Sequence, residues 1–445
     1  MSDTDTSRKT EHIDLRLYMS LVFLGLFPAI YTALRTRFIG QMPDSYAYSI
    51  AGQLSWVSLI YEVLGEVVIL PLYFLLGGRS REELGDRLRS GLAAVFAIYA
   101  VCSAAVSLFA VPLLNAMAVS RDILPESAAY IRLESIAFVF GAVFDFMMVA
   151  LVTIGKRKYI YIMAAAKCAL CATLDILLIS PFSISLHMGV NGIALSNIIT
   201  NAMLFITAVC IAGRDGIRIF SRGGMPPEWM RDFAKKGAVS GLESFVRNIA
   251  YMFMVSRMVN MVGEQGTYWV ANNFIWGWLL LPVLQLGELI KRDVAEDMRN
   301  VRTKTRGYFL ITAVICLLWS VTIPLYKPFM QNVLGFSDTD KLFRLVILLL
   351  VPYMFFAFQN IFDASFYGAG KPEYMLLESI VTNTLFYGAF FTAFLKGAWT
   401  PTLYGIAVMF GAGNIFDSLV SGLVYVYFVR HDVKSKGEQK VKDPS

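Results

Sequence analysis

Two short peptides mark halves of the chain that repeat one another. Residues 155–175 read GKRKYIYIMAAAKCALCATLD, and the opening of this stretch returns in shortened form as GKPEY at residues 370–374. Each peptide is followed by a Gly-Ile-Ala triplet, within VNGIAL from Val190 and within LYGIAV from Leu403. The common order and similar spacing of these signatures indicate that the second half of the chain repeats the first.

A longer pair of segments supports the same repeat. RFIGQMPDSYAYSIAGQLSW begins at Arg37, and RMVNMVGEQGTYWVANNFIW begins at Arg257. The two segments match without a gap in an arginine, an acid, a tyrosine, an alanine, an amide and a tryptophan. The tripeptide LGE also occurs twice, at residues 64–66 and 286–288.

The composition is that of a membrane protein. Of the 445 residues 57% are hydrophobic and 16% are charged, whereas soluble proteins have about 25% charged residues. The apolar residues fall in twelve runs long enough to cross a bilayer, which takes about 20 helical residues. We therefore predict an all-α integral membrane protein with twelve transmembrane helices. No cleavable signal peptide is expected, because the polar residues 1–16 precede an apolar run of full span length.

The distribution of charge predicts the orientation. Loops such as GGRSREELGDRLRS and KRDVAEDMRNVRTKTR hold most of the loop lysine and arginine, while QMPDSYAY and SPFSISLHM on the alternate side contain none. Since cytoplasmic loops carry the excess of positive residues, both termini are predicted to be cytoplasmic. The absence of organelle signals favours the cell (inner) membrane of a prokaryote.

The longest polar break divides the spans six and six. We predict an N-terminal lobe at residues 12–213, a cytoplasmic linker at 214–236, a C-terminal lobe at 237–430 and a basic cytoplasmic tail at 431–445. An even number of spans gives both halves the same orientation. The two six-helix lobes are thus related by a pseudo-two-fold axis along the membrane normal.

At these positions the sequence resembles the MATE (multidrug and toxic compound extrusion) transporters, of the superfamily that includes lipid-linked oligosaccharide flippases. The resemblance rests on GKRKY and GKPEY, on Asp175 in CATLDILLI, on VNGIALSNIITN and on the FIG that closes the first span. It implies two lobes that form a V, open alternately to each side, and the export of organic cations in exchange for sodium ions or protons.

Two positions depart from the family pattern. Arg35 stands where many members have a first-span aspartate, and Cys171 stands where the fifth span often has an asparagine one turn before Asp175. A guanidinium cannot bind a cation, so a proton is the more plausible coupling ion.

Ionisable residues inside apolar spans are candidates for function because a charge at the bilayer centre costs roughly 2.5–3.5 kcal/mol. For ion coupling we single out Asp175, Glu62, Glu66 and Asp145. Glu62 and Glu66 lie one turn apart on one helix face, where their repulsion suits proton binding. The alternative is that one or both pair with an arginine of a neighbouring helix.

Further residues are candidates for substrate binding. Glu243 and Arg247 are four residues apart, so they either face the substrate or neutralise each other along one helix. Arg257, at the place that Arg37 occupies in the first half, either reaches the interface or faces the cleft. The remaining candidates are Arg35, Asp363 and the amides Gln53 and Asn273, although amides also join helices in membranes.

Two functional hypotheses follow. The first is a secondary active exporter of organic cations or amphiphilic drugs, working by alternating access in antiport with protons, or less favourably sodium. The alternative is an exporter or flippase of an anionic or zwitterionic substrate that uses arginines in the membrane, since arginine binds phosphate in a bidentate manner.

An enzyme is not expected. The three histidines, His12, His187 and His431, lie at span ends or in tails, and no Ser-His, metal-ligand or Gly-rich phosphate motif is found. We therefore predict no catalytic residue, no metal site and no cofactor beyond the coupling ion. The expected partners are a small-molecule substrate and the lipid bilayer, without nucleic acid, and the chain is expected to be a monomer.

Overall fold

The structure, a computed structural model, consists of helices joined by turns and loops in the part of the chain that it describes. It describes residues 13–69, 81–153, 155–156, 158–214, 237–238, 241–242 and 244–433. No strand occurs in these ranges. The predicted all-α class is confirmed.

The helices of the first half follow the predicted spans one to six. Their bounds are α1 (Leu15–Gly40), α2 (Ala47–Gly52), α3 (Leu54–Val68), α4 (Arg81–Leu108), α5 (Ala110–Ala116), α6 (Leu124–Thr153), α7 (Lys158–Leu178) and α8 (Val190–Arg214). The second predicted span consists of α2 and α3, which meet at Gln53.

The second half contains both α-helices and π-helical turns. The α-helices are α9 (Arg257–Met261), α10 (Gln265–Phe274), α11 (Leu281–Glu296), α12 (Asn300–Thr303), α13 (Thr305–Val321), α14 (Ile323–Asn332), α15 (Thr339–Gly368), α16 (Glu373–Val381), α17 (Gly388–Leu395) and α18 (Leu403–Phe428). The π-helical turns are π1 (Tyr251–Ser256), π2 (Ile275–Leu279), π3 (Thr382–Tyr387) and π4 (Val429–Val433). Residues 244–250 continue α-helically into π1.

Length and apolarity identify membrane-spanning helices in the described ranges. Seven helices are long and apolar enough to cross a membrane, and two bent pairs raise the number to nine. The bent pairs are α10–π2 with α11, at 53°, and α13 with α14, at 67°. Pro282 and Pro324 lie at the starts of α11 and α14, where a proline can begin a helix but not continue one.

The repeated Gly-Lys peptides end two long helices in the same way. Gly155 after α6 has φ +81° and Gly370 after α15 has φ +67°, a left-handed conformation that favours glycine. The amide of Lys156 donates to the carbonyl of Leu151, 2.9 Å away, and the amide of Lys371 donates to that of Phe366 at the same distance. Both are Schellman caps, so the repeat preserves a helix end.

Clustering by contact divides the chain into two compact units. We call Tyr31–Val270 with Leu334–Ser337 the N-terminal unit, and Met1–Ile30, Ala271–Val333 and Asp338–Ser445 the C-terminal unit. One boundary falls within α1 and another within α10. The predicted linker at residues 214–236 lies outside the described residues except for Arg214, the last residue of α8, and the assignment of residues to lobes stays a prediction.

The core of the N-terminal unit is built around α6. This helix packs against α4 on one side and α8 on the other, and it is the most enclosed of the candidate spans in the described ranges. Tyr130 and Phe146 of α6 are fully buried, and the ring of Phe138 stacks on Tyr61 with centroids 3.9 Å apart. Three polar residues of α6, Ser127, Glu134 and Ser135, are thus buried inside the unit.

The C-terminal unit contains a close helix contact. The helices α15 and α18 pack side by side, and a Cβ atom at Gly411 of α18 would lie 2.7 Å from Cγ of Pro352 in α15. Only a residue without a side chain allows this approach.

Candidate functional site

A buried ion pair joins the first predicted span to the fifth. In the N-terminal unit, Nε of Arg35 on α1 lies 2.7 Å from Oδ2 of Asp175 on α7, and Nη2 lies 3.0 Å from Oδ1. The pair is therefore bidentate, the strongest geometry that an arginine and a carboxylate form. Tyr31 donates its hydroxyl to the same carboxylate at 3.3 Å and lies against the guanidinium.

Hydrogen bonds extend from this pair to a second buried acid. Arg35 Nη1 donates to Oδ1 of Asn197 at 3.0 Å, and Nδ2 of Asn197 donates to Oε1 of Glu134 at 2.8 Å. The Glu134 carboxyl, on α6, also has a hydrogen bond with Tyr130 of the same helix. Asp175, Arg35, Asn197 and Glu134 thus form one continuous polar chain across four helices.

Glu134 was missed by the sequence reasoning. It lies in IRLESIAFVFGAVFD, the same apolar run that contains Asp145, and it is 2% exposed. The rule that an ionisable residue inside a span marks function applies to it as it does to Asp145. The two acids are 11 residues apart, about three helical turns, and so share one face of α6.

That face borders a cavity of about 810 Å³ within the N-terminal unit. The helices around it are α3, α4, α6, α7 and α8. Its charged lining, in the described part of the chain, consists of four carboxylates and one lysine: Glu62, Glu66, Glu134, Asp145 and Lys167. The cavity is therefore acidic when these groups are ionised.

Aromatic residues and amides complete the wall. Tyr61, Tyr99 and Phe138 form an apolar side, and Asn197 and Asn201 form a polar one. Such a mixture of flat apolar surface and a few polar groups is typical of small-molecule sites. The volume also lies in the range of such sites, about 300–1,000 Å³.

The structure brings three of the four residues predicted for ion coupling together. Glu62, Glu66 and Asp145 line the cavity, whereas Asp175 lies outside the lining and is bound to Arg35, whose Nη1 donates to the cavity-lining Asn197. Glu62 also lies 3.2 Å from Nη2 of Arg247, and both side chains are about 40% exposed (41% and 40%). Both interpretations of Glu62 thus have a structural basis, because it lines the cavity and pairs with an arginine.

The residues predicted for substrate binding lie in several places. Arg35 is engaged by Asp175, and Arg257 donates its Nε to the carbonyl of Ala116 at 2.9 Å. Gln53 is fully buried, with its amide paired to Asn260 at 2.9 and 3.2 Å. Gln53 thus links the junction of α2 and α3 to α9 by hydrogen bonds.

Two further candidates also lie outside the lining of this cavity. Asp363 and Asn273 belong to the C-terminal unit, where Asp363 accepts a hydrogen bond from Ser421 at 3.1 Å. Glu243 lies outside the described residues. Among the residues that the structure describes, no group of three histidine, cysteine, aspartate or glutamate residues has the geometry to hold a metal ion.

Solved structures that match the chain are membrane transporters. An inward-facing multidrug resistance MATE family transporter of the MOP superfamily matches with a TM-score of 0.73 and 17% identity, over 93% of this chain and 98% of the other. A point variant of a MATE transporter from Vibrio cholerae matches with a TM-score of 0.67 and 16% identity, over 97% and 98%.

A third matching structure differs in the polarity described for its binding pocket. It is a MOP superfamily transporter from Pyrococcus furiosus, described as having a binding pocket of reverse polarity that suggests a different function, with a TM-score of 0.70, 16% identity, and 95% and 97% coverage. No family model and no curated protein matches the sequence.

The protein therefore has the fold of the MATE transporters of the MOP superfamily. The resemblance drawn from the sequence is confirmed at the level of the fold. Together with the apolar helices, the fold makes the chain a multi-pass membrane protein.

Proposed function

We propose that the protein is a secondary active transporter that exports organic cations or cationic amphiphiles by alternating access, in antiport with protons. The acidic cavity is the observation that carries this proposal. Four carboxylates and a single lysine line it in the described ranges, and Tyr61, Tyr99 and Phe138 supply aromatic surface. An organic cation is attracted both by the carboxylates and by aromatic ring faces.

Glu134 is the carboxylate best placed to link proton and substrate. It lines the cavity and accepts a hydrogen bond from Nδ2 of Asn197. The Oδ1 atom of Asn197 in turn accepts a hydrogen bond from Arg35 of the buried pair. When Glu134 takes up a proton, the cavity loses one negative charge and the bond from Asn197 loses its ionised acceptor. A proton and a cationic substrate then compete for the same charge, which is the requirement for antiport.

The anionic alternative has less support. It needs arginines that are available to a substrate, whereas the Arg35 guanidinium donates three hydrogen bonds to Asp175 and Asn197. Arg247 lies against Glu62, and Arg257 donates to a backbone carbonyl. The reverse polarity described for the Pyrococcus furiosus transporter is a property of that protein, and the cavity of this chain is acidic.

The transport assay uses purified protein in liposomes, with proton and sodium gradients imposed separately. One fluorescent organic cation and one fluorescent organic anion are followed. We expect movement of the cation under the proton gradient alone, reduced at least tenfold in Glu134→Gln. Glu126→Gln is the matched control, because Glu126 is an exposed residue in the first turn of the same helix.

Three results would overturn the proposal. Movement of the anion alone would assign the opposite charge preference to the cavity. Cation movement that follows only the sodium gradient would exclude proton coupling. Equal activity of Glu134→Gln and Glu126→Gln would remove Glu134 from the coupling step.

The cellular setting is also proposed. The positive loops support an inner-membrane location with cytoplasmic termini, and a cavity contained in one chain supports a monomer as the working unit.

A further inference from the structure

A second cluster of acids lies in the C-terminal unit, in a part of the molecule that the proposed mechanism does not use. Asp363 on α15, Glu378 on α16 and Asp417 on α18 come together where these three helices pack. Glu378 is 3% exposed. Sequence reasoning had selected only Asp363 from this group.

Asp417 is held by donors on both oxygens. Nε2 of Gln359 donates to Oδ2 at 2.7 Å, and the hydroxyl of Thr382 donates to Oδ1 at 2.6 Å. The hydroxyl of Ser418 donates to Oε1 of Gln359 at 2.9 Å, which fixes the orientation of that amide. Both carboxyl oxygens of Asp417 thus accept a hydrogen bond.

Glu378 has a different environment. Its carboxyl is within hydrogen-bonding distance of Asp363 and Ser421, yet Oε2 is buried and has no hydrogen-bond partner among the described residues. The helices α15 and α18 and the turn π3 pack against α16, and the charged groups from them that face Glu378 are Asp363 and Asp417. The turn π4 contacts α16 through the hydrogen bond from Tyr374 to Asp432. Both groups that face Glu378 are acids.

This arrangement favours a proton on Glu378. Two carboxylates in hydrogen-bonding contact have no hydrogen between them unless one is protonated, since an ionised carboxylate only accepts. A buried oxygen without a donor is also far less costly on a neutral acid than on a charged carboxylate. The neutral form of Glu378 satisfies both conditions.

We propose that Glu378 is a proton-binding site of the C-terminal unit, where it shares one proton with Asp363 close to Asp417. The site is separate from Glu134 and does not depend on which substrate the protein carries. Release of the proton would add a negative charge beside two other acids inside the unit, so an opposing cation or a rearrangement of α16 must accompany release.

The test is infrared spectroscopy of the purified full-length protein, because a protonated carboxylic acid has a carbonyl band that an ionised carboxylate lacks. We expect this band at neutral pH in the wild type and the loss of one acid equivalent in Glu378→Gln. The band should persist in Glu373→Gln, the matched control, because Glu373 is an exposed residue of the same helix. It should persist also in Glu134→Gln, which separates this site from the proposed coupling residue.

Asp363→Asn locates the proton. We expect the Glu378 band to shift in frequency but remain, because its hydrogen-bond acceptor has changed. If Glu378→Gln does not fold, Glu378→Asp replaces it, and a shift of one acid band is then expected. The proposal is overturned if Glu378→Gln leaves the band intact, if Glu378→Asp leaves it unshifted, or if Asp363→Asn removes it.

Discussion

The Arg35–Asp175 pair shows how a departure from a family pattern is compensated by a neighbour. The sequence analysis selected both residues, Arg35 as a departure from the family pattern and Asp175 as a match to it. It did not show that they bind each other, because no sequence pattern states which faces of two distant helices meet. In the structure the acid is 1% exposed and the arginine 13%, so each charge depends on the other.

Removing either partner should destabilise the protein. Arg35→Met leaves the Asp175 carboxylate buried without its cation, and Asp175→Leu leaves the guanidinium without its anion. The loss of one partner from a buried pair costs about 3–5 kcal/mol, while replacing both by apolar groups is often neutral. We expect each single variant to melt at a clearly lower temperature in detergent and the double variant to recover most of the loss.

An exposed pair supplies the control. Arg299 and Asp297 also form a bidentate contact, but the Arg299 side chain is 76% exposed. Arg299→Met should change the melting temperature little, because exposed pairs contribute about 0–1 kcal/mol. Equal effects of Arg35→Met and Arg299→Met would show that the Arg35 pair does not stabilise the unit.

Among the helices, the contact of α15 with α18 is sensitive to added volume. Pro352 lies within α15 at the point where Gly411 of α18 allows close approach. A proline ring cannot rotate away as a long side chain can. The sequence contained both residues, but their proximity depends on helix packing.

Gly411→Ala should therefore destabilise the C-terminal unit. The new methyl group would lie 2.7 Å from Pro352 Cγ, and overpacking of this kind costs typically 1–3 kcal/mol. The melting temperature in detergent is the measurement. Gly277→Ala is the matched control, because no described atom lies within 4 Å of a Cβ at that position. Identical melting temperatures for the two variants would contradict the close contact.

For the whole molecule, the sequence predicted the class and the positions of the spans well. Apolar runs and charged loops report directly on the bilayer, so spans such as α6 and α15 appear where the hydropathy placed them. The 53° and 67° bends were not predicted, because hydropathy does not record the direction of a helix. Glu134 was overlooked although the same rule covered it, and the pairing of Glu378 with Asp363 needed the fold.

The predicted topology can be tested by labelling. All five cysteines are free, so they are first replaced to give a cysteine-free background. Arg299→Cys and Ser183→Cys are then introduced at exposed loop positions that the charge distribution places on opposite sides of the membrane. A membrane-impermeant maleimide should label Ser183→Cys in intact cells and Arg299→Cys only in inverted vesicles. Labelling of both from the same side would contradict the orientation.

The π-helical turns change which residues of the two repeated halves correspond to each other. All four that the described residues contain follow residue 250, in the second copy of the repeat. A π-helical turn holds one residue more than an α-helical turn, so the helix after it is rotated by about 100° relative to an uninterrupted one. Across π2 the LGE tripeptides are displaced by two residues, because residues 64–66 and 286–288 are 222 positions apart while the gap-free segments that begin at Arg37 and Arg257 are 220 apart. Glu66 lines the cavity, whereas Glu288 is 55% exposed and pairs with Lys291. A shift in register after duplication would thus have moved the acid at Glu288 to the surface. In the second copy the proposed proton site is at Glu378 instead.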